Sequence, residues 1–304
     1  MKKRGLTRFA LPLVVLALAA IAMIPLSASA VSSSATGYHR HRSHHQPHFF
    51  LKPGRLSPNA GSNLQYNGGP VMTGTTNVYA IFWEPTGNVS STYHSLIERY
   101  FTDVGGTGLY KNNTQYTDSS GNASSNTTLA GSWVDSTAYP QSPLLDSDIQ
   151  NEVSRAQSAN GWMSSVDNIF FVFTEAGQDI CADNSQTQCA SNTFCAYHNF
   201  FGSNTIYAAM PYAASFSCNG GQGPNSDQAA DETINVTSHE QMEAATDPLL
   251  NAWTDSSGQE IGDKCAWTFG SVNTDGSNVN WNSHPYLVQE EWDNAQSGCV
   301  LSGP

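Results

Sequence analysis

Thr237-Ser238-His239-Glu240-Gln241-Met242-Glu243-Ala244-Ala245-Thr246-Asp247-Pro248 is the stretch around which the rest of the chain is organised. It predicts a helix carrying His239 and Glu243 one turn apart, because side chains at i and i+4 stack on one face. Imidazole nitrogen and carboxylate oxygen are both ordinary zinc donors, so the pair can close on one ion. The spacing is that of the H-E-x-x-H zinc helix with its second histidine replaced by glutamate. Glu240 lies about 100° round the helix from His239, where it can hold a metal-bound water as general base. A solvated acidic helix face is the plain alternative. Pro248 cannot donate an amide and biases Asp247 away from helical angles, so the helix ends there.

A catalytic zinc takes three protein ligands and keeps one position open. Leu249 stands six residues after Glu243, where a metzincin-like third ligand would fall, and Asp247 is expected to cap or turn the chain before Pro248. The stretch Trp253 to Cys265 returns after a turn with Asp255, Glu260 and Asp263. Asp263 is the first choice, since Cys265 beside it can hold its backbone; Glu260 is the second. An ion pair with Lys264 or a turn-capping role is the alternative for each. A set richer in carboxylate also suits calcium or manganese. His198 reads as a packed residue of a cysteine-rich loop, and His94 and His284 as structural or exposed. Tyr286 is placed to polarise a carbonyl or to serve as an ordinary strand tyrosine. No G-x-S-x-G elbow, P-loop or G-x-G-x-x-G is present, so serine-nucleophile and nucleotide chemistries have no support.

Residues 1–30 have the pattern of a secretory signal: Lys2, Lys3, Arg4 and Arg8, an apolar run from Leu11 to Leu26, then Ala28-Ser29-Ala30. The run is short for a span, so no stable membrane insertion is expected after cleavage. All 25 acidic residues follow position 58, where only Arg99, Lys111, Arg155 and Lys264 are basic, a formal charge of −21. Such a surface repels phosphate backbones and excludes nucleic acid as a partner. Six cysteines in an exported chain, with no C-x-x-C pair, favour disulfides. Cys265 and Cys299 are expected to pair and tie down the C-terminal segment. Cys181, Cys189, Cys195 and Cys218 leave three connectivities open.

Residues 31–60 hold the tract Tyr38 to His48, five of the nine histidines and no apolar periodicity, and read as a disordered linker, a pro-segment or a loose metal-binding tail. The remainder, 61–304, reads as a single domain. Val78 to Trp83 is a strand, Thr92 to Val104 an amphipathic helix, and Leu145 to Gly161 a second helix. Residues 105–143 read as a long surface excursion with short strands. Asn168 to Thr174 is the strongest strand, apolar enough for burial on both faces. A loop over 176–204 precedes the strand Ile206 to Tyr212, whose Pro211 suits a sheet edge. The fold class is therefore α+β with an α/β-like core: a mixed sheet, an active-site helix and a disulfide-tied C-terminal segment. The order strand, helix, strand, edge strand, metal-type helix is that of zincin metallopeptidases, in which an extended substrate lies along the edge strand.

The opening Leu64-Gln65-Tyr66-Asn67-Gly68-Gly69-Pro70-Val71-Met72-Thr73-Gly74, followed by Val78 to Trp83, resembles the EXORDIUM/phosphate-induced protein family. So do Cys195-x-x-His198, Thr246-Asp247-Pro248, and Tyr286-Leu287-Val288 with Cys299-Val300, a resemblance that spans roughly 64–301. It implies an extracellular protein; plant members are linked to cell-wall growth responses and have no settled enzymatic activity. Their usual segment reads Thr-Asn-Pro and lacks the preceding His-Glu pair, so the metal chemistry rests on this chain's own residues. Two functions follow. One is a secreted zinc metallopeptidase-like protein, with Glu240 activating water against an extracellular peptide or protein substrate. The other is a non-catalytic EXORDIUM-type protein associated with wall or glycan and holding a structural or calcium site. Trp253, Trp267, Trp281 and Trp292 would serve sugar stacking in the second, or simply core packing.

Overall fold

The computed structural model describes residues 46–55 and 62–304. Six strands form the main sheet: His48–Leu51 (β1), Thr76–Trp83 (β2), Thr127–Asp135 (β3), Asn168–Thr174 (β4), Phe194–Phe201 (β5) and Thr205–Met210 (β6). Their spatial order is β1-β5-β6-β4-β2-β3. β2, β3, β4 and β6 run parallel, β5 is antiparallel to β6, and β1 is antiparallel to β5.

Period-two alternation sorts the apolar runs onto two faces. Val78, Ala80, Phe82, Ile169, Phe171 and Phe173 enter one core with Tyr100 and Phe101 of helix Tyr93–Asp103 (α1). Ile81, Trp83, Phe170 and Val172 enter the other with Ile149, Val153 and Ala156 of helix Asp146–Asn160 (α2). α1 shares its side with helix Gln228–Thr246 (α3), which contributes Ile234, Val236 and Met242. The result is a mixed sheet between helical layers, with three disulfides: Cys181–Cys189, Cys195–Cys218 and Cys265–Cys299.

Four expectations change. Ile206 to Tyr212 is not the sheet edge: β6 lies between β5 and β4 and is buried throughout, and Pro211 falls just past its end, where no ladder bond is lost. The strand next to it, β5, occupies the last part of the stretch read as a loop. Its Cys, His and Asn residues hide an eight-residue strand that is buried over most of its length. The excursion 105–143 contains β3, nine residues with alternating exposure, paired in parallel along β2. Finally, His48–Leu51, inside the segment read as disordered, adds a strand outside β5, with Phe50 fully buried. The signal pattern and the histidines before residue 46 lie outside the described residues.

The C-terminal segment is short strand pairs and turns. Glu291–Asp293 pairs with Gly298–Val300, and the Trp292 amide donates to Ile261 O at 3.0 Å, joining this segment to the turn before Cys265. Cys265–Cys299 closes a separation of 34 residues around it. Replacing both cysteines with alanine is expected to cost about 2–5 kcal/mol of unfolding free energy, read by denaturant titration. A midpoint and slope equal to those of the intact protein would overturn that.

Candidate metal centre

α3 is buried on every side, from Ala230 to Thr246, although it carries Asp231, Asn235, Ser238, His239, Glu240 and Glu243. It starts where the Asp227 side chain accepts from the Ala230 amide, with Ser90 and Thr92 hydroxyls donating to the same carboxylate. It stops at Asp247, whose Oδ1 accepts from the Asn251 and Ala252 amides at 2.6 Å each, while its Oδ2 is buried without a hydrogen-bond partner. Burying so many polar groups is costly unless each finds a partner.

Many do not. His198 Nε2, His239 Nε2, Glu240 Oε1, Glu243 Oε2, Glu260 Oε2 and Asp263 Oδ1 are buried without a hydrogen-bond partner. They converge. His239 Nε2 is 3.0 Å from Glu243 Oε1 and 4.0 Å from Asp263 Oδ1. His198 Nδ1 is 3.3 Å from Glu240 Oε2 and 3.6 Å from Glu243 Oε2, and its Nε2 is 3.7 Å from Glu260 Oε2. His48, from β1, closes the group: Nε2 is 2.5 Å from Asp263 Oδ2 and Nδ1 is 3.2 Å from Glu260 Oε1. Three donor triads within 4.8 Å result, His239–Glu243–Asp263, His198–Glu240–Glu243 and His48–Glu243–Glu260, with Glu243 common to all.

The return segment passes directly against the helix. The Asp263 amide donates to Glu243 Oε1 at 3.1 Å, and the Glu260 amide to Asp263 Oδ2 at 3.2 Å. Gly262 makes the approach possible: a Cβ there would stand 2.6 Å from His239 Nδ1 and 3.0 Å from Glu243 Oε1. Gly262→Ala is therefore expected to weaken metal binding at least tenfold and to cost about 1–3 kcal/mol of stability. Metal titration and unfolding in parallel would show it, and wild-type values in both would refute the close approach. At the same ring nitrogen the Gln289 amide lies 3.1 Å from His239 Nδ1 and donates to Gly262 O at 2.9 Å, so Nε2 faces Glu243.

Burial pushes the Glu240 carboxyl well above the ordinary range, reinforced by Glu243 and Asp263 and opposed by backbone hydrogen bonds from Phe50 and His198. Burial raises Glu260 likewise, with Asp247 and Glu243 adding to it. Burial also raises Glu291, which lies near Glu243. Asp263 goes the other way: burial is outweighed by the attraction of His48 and His239, and its pKa is lowered. Lys264, the buried cation nearby in sequence, pairs with Asp255 at 3.1 Å and sits over Trp292.

The base and the preferred ligands named from the sequence lie in this cluster: His239, Glu240, Glu243, Glu260 and Asp263. Asp255 does not, being held by Lys264. The sequence reading has His198 as a packed loop residue and His48 within a disordered tract; both in fact join the cluster. The first was legible in Ala196-x-His198, once 194–201 is taken as a strand with those two on one face; the second carries no local signal. Tyr286 is elsewhere, donating to Asp103 and accepting from Arg99. His284 also meets Asp103, and His94 meets Glu84. The indole N–H groups of Trp253, Trp267 and Trp292 bond to Thr117 O, Leu51 O and Asn294 Oδ1, and all three rings are at least partly buried.

Fold and site together define an α+β protein with three disulfides and a buried histidine–carboxylate centre built around one helix. The chain is 25% identical over 297 residues to Protein EXORDIUM-like 5 of Arabidopsis thaliana, covering 80% of this chain and 78% of that one. To Protein EXORDIUM-like 3 of the same plant it is 24% identical over 287 residues, covering 78% and 82%. These distant homologues support the EXORDIUM family. No protein-family model matches the chain, and no solved structure does. The disulfides fit an oxidising, extracellular setting. Among the described residues no helix is long and apolar enough to cross a membrane.

Proposed function

We propose that the chain is a secreted, EXORDIUM-related hydrolase of the metallopeptidase type, with a zinc ion held by His239, Glu243 and Asp263. The observation that carries this is the set of buried, unpartnered donor atoms converging on Glu243. Six carboxylates, Glu240, Glu243, Asp247, Glu260, Asp263 and Glu291, are each at most 4% exposed there. Three imidazoles are too few to balance them, and a dication would neutralise two charges at once. One nitrogen and two oxygen donors suit zinc and also admit manganese or calcium. Zinc at such a site supplies a Lewis acid that polarises a carbonyl and acidifies water.

The chain's own residues supply the rest. Glu240, one position along the helix from His239, takes the proton from the attacking water and returns it to the leaving amine. His198, 3.3 Å from Glu240, orients the carboxylate. Elemental analysis of protein purified without chelator tests the centre. About one zinc per chain is expected, and absence of any divalent metal would end the assignment.

The second reading is an extracellular protein without catalysis, wall- or glycan-associated, whose centre is structural or holds calcium; the names of the two EXORDIUM-like relatives favour neither reading. Metal identity and the effect of Glu240→Gln separate the two.

A further inference from the structure

β1 has no covalent tie to the rest of the molecule other than the chain itself, since the first cysteine is Cys181. Both elements it leans on are cross-linked, β5 through Cys195–Cys218 and the 260–265 turn through Cys265–Cys299. β1 is four residues long, antiparallel to β5, and its register slips between Phe50 and Leu51. Yet it reaches the whole centre. His48 lies on Asp263 and Glu260. Phe50 stacks on the His239 ring at 3.7 Å and on Trp267 at 4.5 Å, and is fully buried. Trp267 Nε1 donates to Leu51 O at 2.9 Å, gripping the backbone just beyond. Phe49 points the other way and stacks on Phe194.

An extended segment that adds a strand to a sheet edge, with alternate side chains filling pockets, is the general geometry of peptide recognition by strand addition. Resting on the metallopeptidase reading above, we propose that His48–Leu51 is a self-supplied occupant of a peptide groove along the outer edge of β5. It closes the centre until displaced, and the groove's external ligand is an extended peptide with a bulky aromatic side chain in the Phe50 position. The aromatic slot is the space between His239 and Trp267. His48 covers the carboxylates of Asp263 and Glu260 while the segment is in place. A tethered occupant competes at an effective concentration of roughly millimolar, so external peptide binds the intact chain poorly.

The test uses the full chain carrying Glu240→Gln, so that nothing is hydrolysed. The probe is a fluorescent peptide copying Gln46 to Lys52. Adding Phe50→Asp to the protein is expected to tighten probe binding at least tenfold, because the self-segment no longer holds its slot. A probe with aspartate in place of its second phenylalanine is expected not to bind. His48→Ala, a milder change, is expected to move affinity in the same direction and serves if Phe50→Asp does not fold. Equal probe affinity in the parent and the folded variants, or equal binding of the aspartate probe, would overturn the groove. Zinc is measured in the same samples. Zinc present without probe binding rejects the groove alone; probe binding without zinc upholds the groove and rejects the metal centre alone.

Discussion

Glu240→Gln is expected to leave about one zinc per chain and to lower peptide hydrolysis by roughly 10²–10⁴-fold, the usual contribution of a positioned general base. The amide keeps the shape of the side chain and still faces His198, but it cannot take a proton. His239→Ala and Glu243→Ala should instead abolish both metal and activity. His239 supplies the only nitrogen of the proposed set, and Glu243 belongs to all three donor triads. Metal content and turnover of a quenched peptide library, measured side by side after the N-terminal segment has been displaced, separate these outcomes. If Glu240→Gln retains full turnover, the base assignment is wrong. If it retains zinc and the parent itself shows no turnover, the non-catalytic reading takes over.

The second large effect is on stability. Removing the ion leaves the buried carboxylates around Glu243 facing one another with three imidazoles between them. For a ligand at about a thousand times its Kd, mass action gives roughly 4 kcal/mol, or a fall in Tm of about 8–16 °C for a domain of this size. Calorimetry with and without chelator measures it, and an unchanged melt would reject a cation in the cluster.

The chelated protein should also depend on pH in a definite direction. Burial holds Glu240, Glu260 and Glu291 well above the ordinary value of 4.5, so the folded state binds more protons than the unfolded chain above that pH. Stability is then present in full below about pH 4.5 and is lost as pH rises towards the folded values. Chelated protein should melt higher at pH 5 than at pH 8. With zinc bound the order reverses, because the ion needs its carboxylates deprotonated.

Much of the centre was readable along the chain because its parts are local. His239, Glu240 and Glu243 follow from helical spacing alone, and Pro248 marks the helix end. Asp263 and Glu260 are within about twenty residues of them, on a segment that a cysteine holds. Asn168 to Thr174 announced a strand buried on both faces through its unbroken apolar run. β5 was harder, since Cys195, His198 and Asn199 interrupt the apolar pattern although their side chains are inside.

By itself, then, the sequence determined the elements whose signals lie within one turn or one strand: the helix with its His-Glu-x-x-Glu face, the apolar strands and an even cysteine set. Only the tertiary structure decided which strand stands beside that helix, that Pro211 ends an interior strand, and that His198 and His48 meet Glu240, Glu243 and Glu260. The reason is physical. Helical and strand periodicities are set by backbone geometry over a few residues, whereas strand order is set by which buried faces fit across the sheet. His48 and His239 are 191 positions apart, and only pairing of β1 along β5 brings them to one centre.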